Sequence, residues 1–227
     1  MHSRSLIYTA NAGFLLTVND ITIAVDAFPQ EADRGFSALS QENFNHLCQD
    51  PVAQSVRYVM VTHDHKDHYS PDRTRQFLDT HPEAQFFGLF EKDQLTYYLR
   101  GVTLEFQKLP HDGAQFAQVA NYGCLLTFAD STRVLFLGDA QIGDPAIARW
   151  IGGRSIDLAL VNFPWITLPK GRQFLADHLP GAQLAILHLP YEAEDRNHYC
   201  EATQKAATAI TTHSVTLLTR FGQTMTF

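Results

Sequence analysis

This chain carries a six-residue run, His-Asp-His-Lys-Asp-His, which begins at His63 directly after the largely apolar residues 56–62. The apolar residues predict a buried strand, so the run stands at a strand end. In extended backbone, side chains two residues apart point the same way, and His63 and His65 can reach one ion. Asp67 and His68 follow at once, and a tight turn brings them towards a second ion. Imidazole and carboxylate groups suit Zn²⁺ and similar metal ions.

Three more ligand-type side chains stand at the ends of apolar strands. His111 follows a strand that ends near residue 109, Asp139 follows residues 132–137, and His188 follows residues 184–187. Strand ends that gather along one edge of a sheet bring residues distant in sequence into one place, as many active sites do. The sequence therefore predicts that these side chains join the His-rich run in one metal site.

The element order predicts an α/β chain with two sheets and outer helices. Its first strands are joined by hairpin turns, such as Asn19-Asp20, which a purely parallel doubly wound sheet would lack. Strands are predicted at residues 5–9, 13–18, 21–27, 56–62, 84–90, 132–137, 157–163, 184–187, 215–219 and 224–227, with several more between 102 and 129. Helices are predicted in part of 31–50, from Pro71 with Ser70 as its N-cap, and at 91–99, 144–151, 171–179 and 194–210.

Composition and charge limit the partners of the chain. Its 227 residues carry a formal net charge of -7 without a cluster of Lys or Arg, which disfavours nucleic acid as the main substrate. Cys48, Cys124 and Cys200 are odd in number and far apart, so they predict free thiols in a reducing compartment. No signal peptide or membrane-length apolar run is evident. We expect one cytoplasmic domain over residues 1–227, without a membrane; the sequence does not predict the oligomeric state.

The sequence resembles the metallo-β-lactamase superfamily over essentially its whole length. That family carries the HxHxDH signature, followed by His, Asp and His at later strand ends, and every one of those positions is matched here in order. The resemblance implies a four-layer αββα sandwich of the α/β class, the metallo-β-lactamase fold, with the site along one sheet edge. It implies His63, His65 and His111 at a first metal, Asp67, His68 and His188 at a second, and Asp139 as a bridge between them. His81 and His178 are the alternatives to His111 at the first metal, although both stand in helical or turn surroundings.

The implied cofactors are two divalent ions. Zn²⁺ is the first choice, and Mn²⁺ or Fe²⁺ is an alternative because the same side chains accept all three. Two adjacent cations lower the pKa of a shared water and polarise a substrate oxygen. Asp67 is the predicted catalytic residue, since it can orient that water or take part in proton transfer. Asp26 is either a partner that accepts the N–H of a ligand histidine or a carboxylate that caps a strand end.

The leading hypothesis is a hydrolase that acts on a small-molecule ester, lactone or phosphodiester. A compact bacterial branch that contains L-ascorbate 6-phosphate lactonase is similar in three places: the Asn11-Ala12-Gly13 opening, the His111-Asp112-Gly113 turn and the Gly138-Asp139 strand end. The alternatives are a metal-binding sensor without turnover and, less favoured by the charge, a nuclease. No role is assigned to Asn11 or to residues 190–196. Other side chains near site elements are interpreted either as pocket-lining or anion-binding groups or as ordinary core and surface: Lys66, Tyr69, Phe163, Trp165, Lys170, Tyr191 and Arg196.

Overall fold

The structure is a computed structural model that describes residues 4–33 and 35–227. The chain divides into two compact units. The first unit contains the described residues up to Leu89 together with His188–Tyr199 and Leu218–Phe227, and the second contains Phe90–Leu187 and Cys200–Leu217. Each unit is built on one sheet. The expectation of a single domain stays a prediction.

The first unit holds a six-stranded sheet in the order β13-β1-β2-β3-β4-β5. Its strands are β1 (Arg4–Tyr8), β2 (Phe14–Val18), β3 (Ile21–Val25), β4 (Val56–Met60), β5 (Gln85–Phe87) and β13 (Thr224–Thr226). Strand β1 pairs antiparallel with β13 and β2, and β2 with β3, whereas β3, β4 and β5 are parallel. Val18 pairs with Ile21, so the predicted Asn19-Asp20 hairpin turn is confirmed.

Three helices belong to this unit, α1 (Gln41–Gln49), α2 (Pro51–Gln54) and α3 (Pro71–Thr80). Helix α3 begins as predicted, because the Ser70 side chain accepts a hydrogen bond from the Arg73 N–H and Pro71 stands in the first turn. Phe28 stacks on Phe77 at 4.5 Å between ring centroids. These rings belong to a buried cluster that also contains Leu39, Phe44 and Leu47. Burial of this apolar surface fixes the helices.

The second unit holds a seven-stranded sheet in the order β12-β11-β10-β9-β8-β7-β6. Its strands are β6 (Gln94–Leu99), β7 (Val102–Leu109), β8 (Asn121–Phe128), β9 (Arg133–Phe136), β10 (Leu158–Asn162), β11 (Gln183–Leu187) and β12 (Val215–Leu217). Strands β6 to β9 pair antiparallel, and β9 to β12 are parallel. The remaining helices are α4 (Pro145–Ile151), α5 (Pro164–Thr167), α6 (Pro169–His178) and α7 (Tyr199–Thr208), the last of which begins at the final residue of the first unit.

The predicted helix over residues 91–99 is wrong, because Gln94–Leu99 forms strand β6. Side chains along it alternate between exposed and half-buried, and its backbone pairs antiparallel with β7, with Leu95 opposite Phe106. The hairpin turns through Gly101, whose φ is 82°. Aromatic and β-branched residues in this segment favour the strand, and pairing with β7 satisfies its backbone hydrogen bonds. The last predicted helix also starts later, at Tyr199, after a separate 3₁₀ turn at Glu192–Glu194.

The predicted α/β class is confirmed, because the described residues form two sheets and seven α-helices. Strands β4, β9 and β11 each end directly before, or within three residues of, a predicted ligand. Among residues 4–33 and 35–227, no helix meets the length and hydropathy that a membrane span requires.

Candidate metal centre

The His-rich run forms the turn that follows β4 in the first unit. The backbone N–H groups of His68 and Tyr69 both donate to the His65 carbonyl, at 2.9 and 2.8 Å, so the predicted tight turn is present. Nε2 of His63 lies 3.1 Å from Nδ1 of His65. A tetrahedral Zn²⁺ with nitrogen ligands at about 2.0–2.1 Å holds two of them roughly 3.3 Å apart. The spacing of this pair therefore fits a shared ion.

A second group in the same unit joins Asp67, His68 and His188. Oδ2 of Asp67 lies 3.5 Å from Nε2 of His188 and 3.9 Å from Nε2 of His68. One ligand atom from each residue lies within 4.8 Å of the others. Their side chains are largely buried, with exposed fractions of 6% for Asp67, 0% for His68 and 13% for His188. One carboxylate between two imidazoles suits a divalent cation, which removes the cost of a buried negative charge.

His111 and Asp139 form the third group, within the second unit. Asp112 donates its backbone N–H to the Asp139 carbonyl at 2.7 Å, which ties the two strand ends together. Nε2 of His111 lies 3.5 Å from Oδ2 of Asp139. Nδ1 of His111 lies 2.7 Å from the Asp112 carbonyl oxygen, which can only accept. Nδ1 is therefore the protonated nitrogen, and Nε2 is the nitrogen suited to an ion.

Asp26 supports the histidines of the first unit from behind. Its carboxylate accepts hydrogen bonds from the Thr62 N–H at 2.8 Å, the Thr62 hydroxyl at 2.7 Å and Nδ1 of His68 at 2.8 Å. Because the Thr62 hydroxyl donates to Asp26, it accepts from Nδ1 of His63, 2.9 Å away. These contacts direct Nε2 of both rings to the metal side, and the predicted contact between Asp26 and a histidine of the run is present.

Asparagine side chains hold both predicted carboxylate ligands. The Asn11 amide donates to the carbonyl oxygen and to Oδ2 of Asp67, both at 3.0 Å. The Asn162 amide donates to Oδ1 of Asp139 at 2.7 Å, and Asn121 accepts the Asp139 N–H at 2.9 Å. The sequence alone assigns no role to Asn11, Asn121 or Asn162. Asn162 ends the apolar strand β10, much as His188 follows β11. A polar residue at that position is the sequence signal that indicates a place at the site.

The alternative histidines lie elsewhere. His81 stacks on Phe77 with ring centroids 3.9 Å apart, and its Nδ1 lies 2.8 Å from the Phe77 carbonyl. His178 packs against Phe174 at 4.6 Å. Neither belongs to a ligand group among the described residues. Their contacts are those of ordinary helix-end packing.

Trp165, Tyr191 and Lys66 have ordinary structural contacts. Trp165 is buried against Phe174, as core packing predicts. The Tyr191 hydroxyl donates to the Thr9 carbonyl at 2.6 Å. Lys66 pairs with Glu31 at 3.1 Å on the surface, where such a pair contributes little to stability.

A cavity of about 620 Å³ lies in the first unit. Its lining residues are Gly35, Phe36, Ala193, Glu194, Arg196 and Asn197. The Phe36 ring meets the His188 ring edge to face at 4.8 Å and stacks on Tyr199 at 5.7 Å. Glu194 accepts a hydrogen bond of 2.5 Å from the Ser37 hydroxyl. The volume lies within the range of small-molecule sites, roughly 300–1,000 Å³. A smaller cavity of about 360 Å³ in the second unit is lined by parts of α6 and residues 209–213 and contains no predicted ligand.

Comparison with known proteins gives the family and the fold. Residues 5–147 match the family described as the beta-lactamase superfamily domain. No curated protein matches the sequence. Among solved structures, a possible metal-dependent hydrolase from Veillonella parvula is similar with a TM-score of 0.70 at 16% identity, over 100% of both chains. Igni18, a metallo hydrolase from Ignicoccus hospitalis, gives 0.67 at 18% identity, over 99% of this chain and 98% of that one. The metallo-beta-lactamase fold protein YhfI from Bacillus subtilis gives 0.65 at 14% identity, over 100% of both. These likenesses confirm the predicted fold.

Proposed function

The chain belongs to the beta-lactamase superfamily, and we propose that it is a metal-dependent hydrolase of a small-molecule ester, lactone or phosphodiester. The observation that carries the proposal is the buried group of Asp67, His68 and His188, whose ligand atoms lie within 4.8 Å of one another. Such a group is costly to bury without a cation. Two similar solved structures carry hydrolase names, which supports the reaction class.

We propose further that the three groups of ligands make one centre for two ions. Within each group, the ligand atoms have the separation that a shared ion requires. The order of these residues along the chain follows the superfamily pattern over all the predicted positions. His63, His65 and His111 would hold one ion, Asp67, His68 and His188 the other, and Asp139 both. Zn²⁺ is our first choice, with Mn²⁺ or Fe²⁺ as alternatives.

Ions bound there would act as Lewis acids on a substrate oxygen and would lower the pKa of a coordinated water. The residues around the ligands fix the orientation of the ligand side chains. Asp26 and Thr62 fix the ring orientation of His63 and His68, so their Nε2 atoms need no rearrangement when an ion binds. Asp67 is our candidate catalytic residue, because its carboxylate lies among the ligands and can orient the proton of an attacking water.

The cavity lined by Phe36 supports the proposal that the substrate is a small molecule. Its volume of about 620 Å³ suits a metabolite-sized molecule, and the Phe36 ring forms a wall shared with the His188 ring. Arg196 contributes a positive charge to the lining. The net charge of -7 and the lack of a basic cluster disfavour nucleic acid. We place the activity in the cytoplasm, because the three cysteines are free thiols, which suit a reducing compartment.

The test combines metal content with turnover. We would measure metal per chain by mass spectrometry and assay a panel of esters, lactones and phosphodiesters before and after chelation. We expect about two ions per chain and a turnover that chelation abolishes and added Zn²⁺ or Mn²⁺ restores. A chain that binds no metal after reconstitution overturns the proposal. Two bound ions with tight substrate binding but no turnover would favour the sensor over the hydrolase.

A further inference from the structure

Each predicted carboxylate ligand accepts a hydrogen bond from an asparagine side chain. In the first unit the donor is Asn11 and the acceptor is Asp67, and in the second unit the donor is Asn162 and the acceptor is Asp139. The two pairs come from different sheets and different connections, so they are independent occurrences of one contact. A neutral amide supplies an N–H to a carboxylate without adding a charge of its own.

Hydrogen bonds on several sides fix the position of Asn11. It is fully buried, and its backbone has a φ of 51° in the left-handed region, which asparagine tolerates better than most residues. Its carbonyl oxygen accepts the His188 N–H at 2.8 Å and the Tyr8 hydroxyl at 3.2 Å. Its amide reaches both the backbone and the carboxylate of Asp67. One residue therefore sets the positions of two members of the buried ligand group.

The two carboxylate oxygens of Asp139 have different neighbours. Its amide holds Oδ1 at 2.7 Å, while Oδ2 lies 3.5 Å from Nε2 of His111. Asn121 receives the Asp139 backbone N–H, so both the backbone and the side chain of the carboxylate residue are fixed. Because Oδ1 accepts the hydrogen bond from Asn162, Oδ2 is the oxygen that faces His111.

We propose that Asn11 and Asn162 are positioning residues, each of which fixes the carboxylate of one metal ligand through its side-chain amide. This inference rests on the proposed metal-dependent function and adds to it the residues that set metal affinity. A carboxylate held in its binding orientation loses less freedom when the ion arrives, so the ion binds more tightly. Loss of such a supporting contact typically weakens metal binding roughly 10–100-fold.

The variant for the first position is Asn11→Gly. Glycine adopts positive φ without strain, so the turn and the carbonyl that receives the His188 N–H are retained, and only the amide is lost. If Asn11 served the turn alone, glycine would replace it with little effect on metal binding. Asn162→Ala removes the second amide at the end of β10. Asn45→Ala is the control, because Asn45 is an exposed asparagine on α1 whose side chain bonds only Gln41 in the described structure.

The experiment titrates metal-free protein with Zn²⁺ against a chromogenic chelator and measures thermal unfolding of the metal-free forms. We expect Asn11→Gly and Asn162→Ala each to weaken at least one Zn²⁺ binding step roughly 10–100-fold, and Asn45→Ala to match the wild type. A variant that keeps wild-type Zn²⁺ affinity overturns the role of that asparagine. The role is also overturned if the loss of Zn²⁺ affinity in a variant is no larger than the loss of stability of its metal-free form accounts for. Failure of the wild type itself to bind Zn²⁺, or Mn²⁺ or Fe²⁺ in its place, would instead refute the proposed function.

Discussion

Oδ2 of Asp26 lies 2.8 Å from Nδ1 of His68, and both side chains are buried almost completely, with exposed fractions of 2% and 0%. The backbone of Asp26 has a φ of 44°, a conformation that non-glycine residues rarely adopt. Such strain persists only where surrounding contacts impose it, and it is common at functional sites. The Asp26 carboxylate thus contacts both Thr62, just after β4, and a histidine of the run.

Asp26→Asn should weaken metal binding more than it weakens the fold. The amide keeps the shape but loses the charge that fixes the His68 ring with its Nδ1 protonated. We expect metal affinity to fall roughly 10–100-fold. Competition with a chelator measures this loss, and Asp20→Asn in the exposed hairpin turn is the control. Unchanged affinity would show that Asp26 serves the strand end only.

His65→Ala should lose metal and turnover together. It removes the nitrogen that lies 3.1 Å from Nε2 of His63, and an ion that loses one of its proposed ligands is bound much more weakly. We expect at least one ion per chain to be lost, and turnover to fall by roughly 100-fold or more. His178→Ala, at an exposed histidine outside the ligand groups, should keep both. Full metal content and rate in His65→Ala would remove this residue from the site.

Phe36→Ala should raise KM more than it lowers kcat. The ring lines the cavity and packs against the His188 ring, so its loss removes apolar contact with a bound substrate. We expect KM to rise roughly tenfold, which corresponds to about 1.4 kcal/mol. Steady-state kinetics on the substrate identified in the panel would measure it, and Tyr98→Ala, at an exposed aromatic on β6, is the control. Unaltered KM would place the substrate elsewhere.

Tyr191→Phe should change how stability depends on alkaline pH. Burial, and secondarily the nearby Glu194 carboxylate, raise the pKa of Tyr191, and its hydroxyl donates to the Thr9 carbonyl. The neutral form is thus favoured in the folded state, so this stabilisation is complete below the unfolded pKa of about 10 and falls as pH rises beyond it. We expect the substitution to cost about 1 kcal/mol near pH 8.

The Tyr191 measurement is denaturant unfolding of both proteins from pH 8 to 11.5. The difference between them should be constant up to about pH 10 and then shrink, because the wild type alone loses the contribution of this hydroxyl. A difference that stays constant to pH 11.5 would contradict the role given to the phenol.

The sequence predicts the local parts of this molecule better than the long-range ones. Ser70 and Pro71 specify the start of α3, and Asn19-Asp20 specifies a hairpin, because those signals act within a few residues. The spacing of His63 and His65 likewise predicts their approach. The helix expected over residues 91–99 is wrong because pairing with β7, which begins at Val102, decides that segment.

The contacts of the asparagines could not be read in the same way. Asn162 meets Asp139 because β10 lies beside β9 in parallel register, with Leu160 opposite Phe136, and no local pattern encodes that register. Asn11 meets Asp67 across 56 positions of sequence, through a turn whose φ is positive. A polar residue at the end of an apolar strand signals a site, but its partner depends on the assembled sheet.

The first unit is made of three separate segments of the chain, so its ligand group is completed only late in synthesis. Asp67 and His68 precede His188 by about 120 residues, and the His188 N–H bonds to Asn11 near the start of the chain. At synthesis rates of 5–20 residues per second, the His-rich run leaves the ribosome roughly 6–24 s before its third partner. During that interval the nascent chain contains Asp67 and His68 without His188, the third member of their group. Under the proposed function, an ion held by Asp67, His68 and His188 would therefore be loaded late in maturation, after residue 188 has been added.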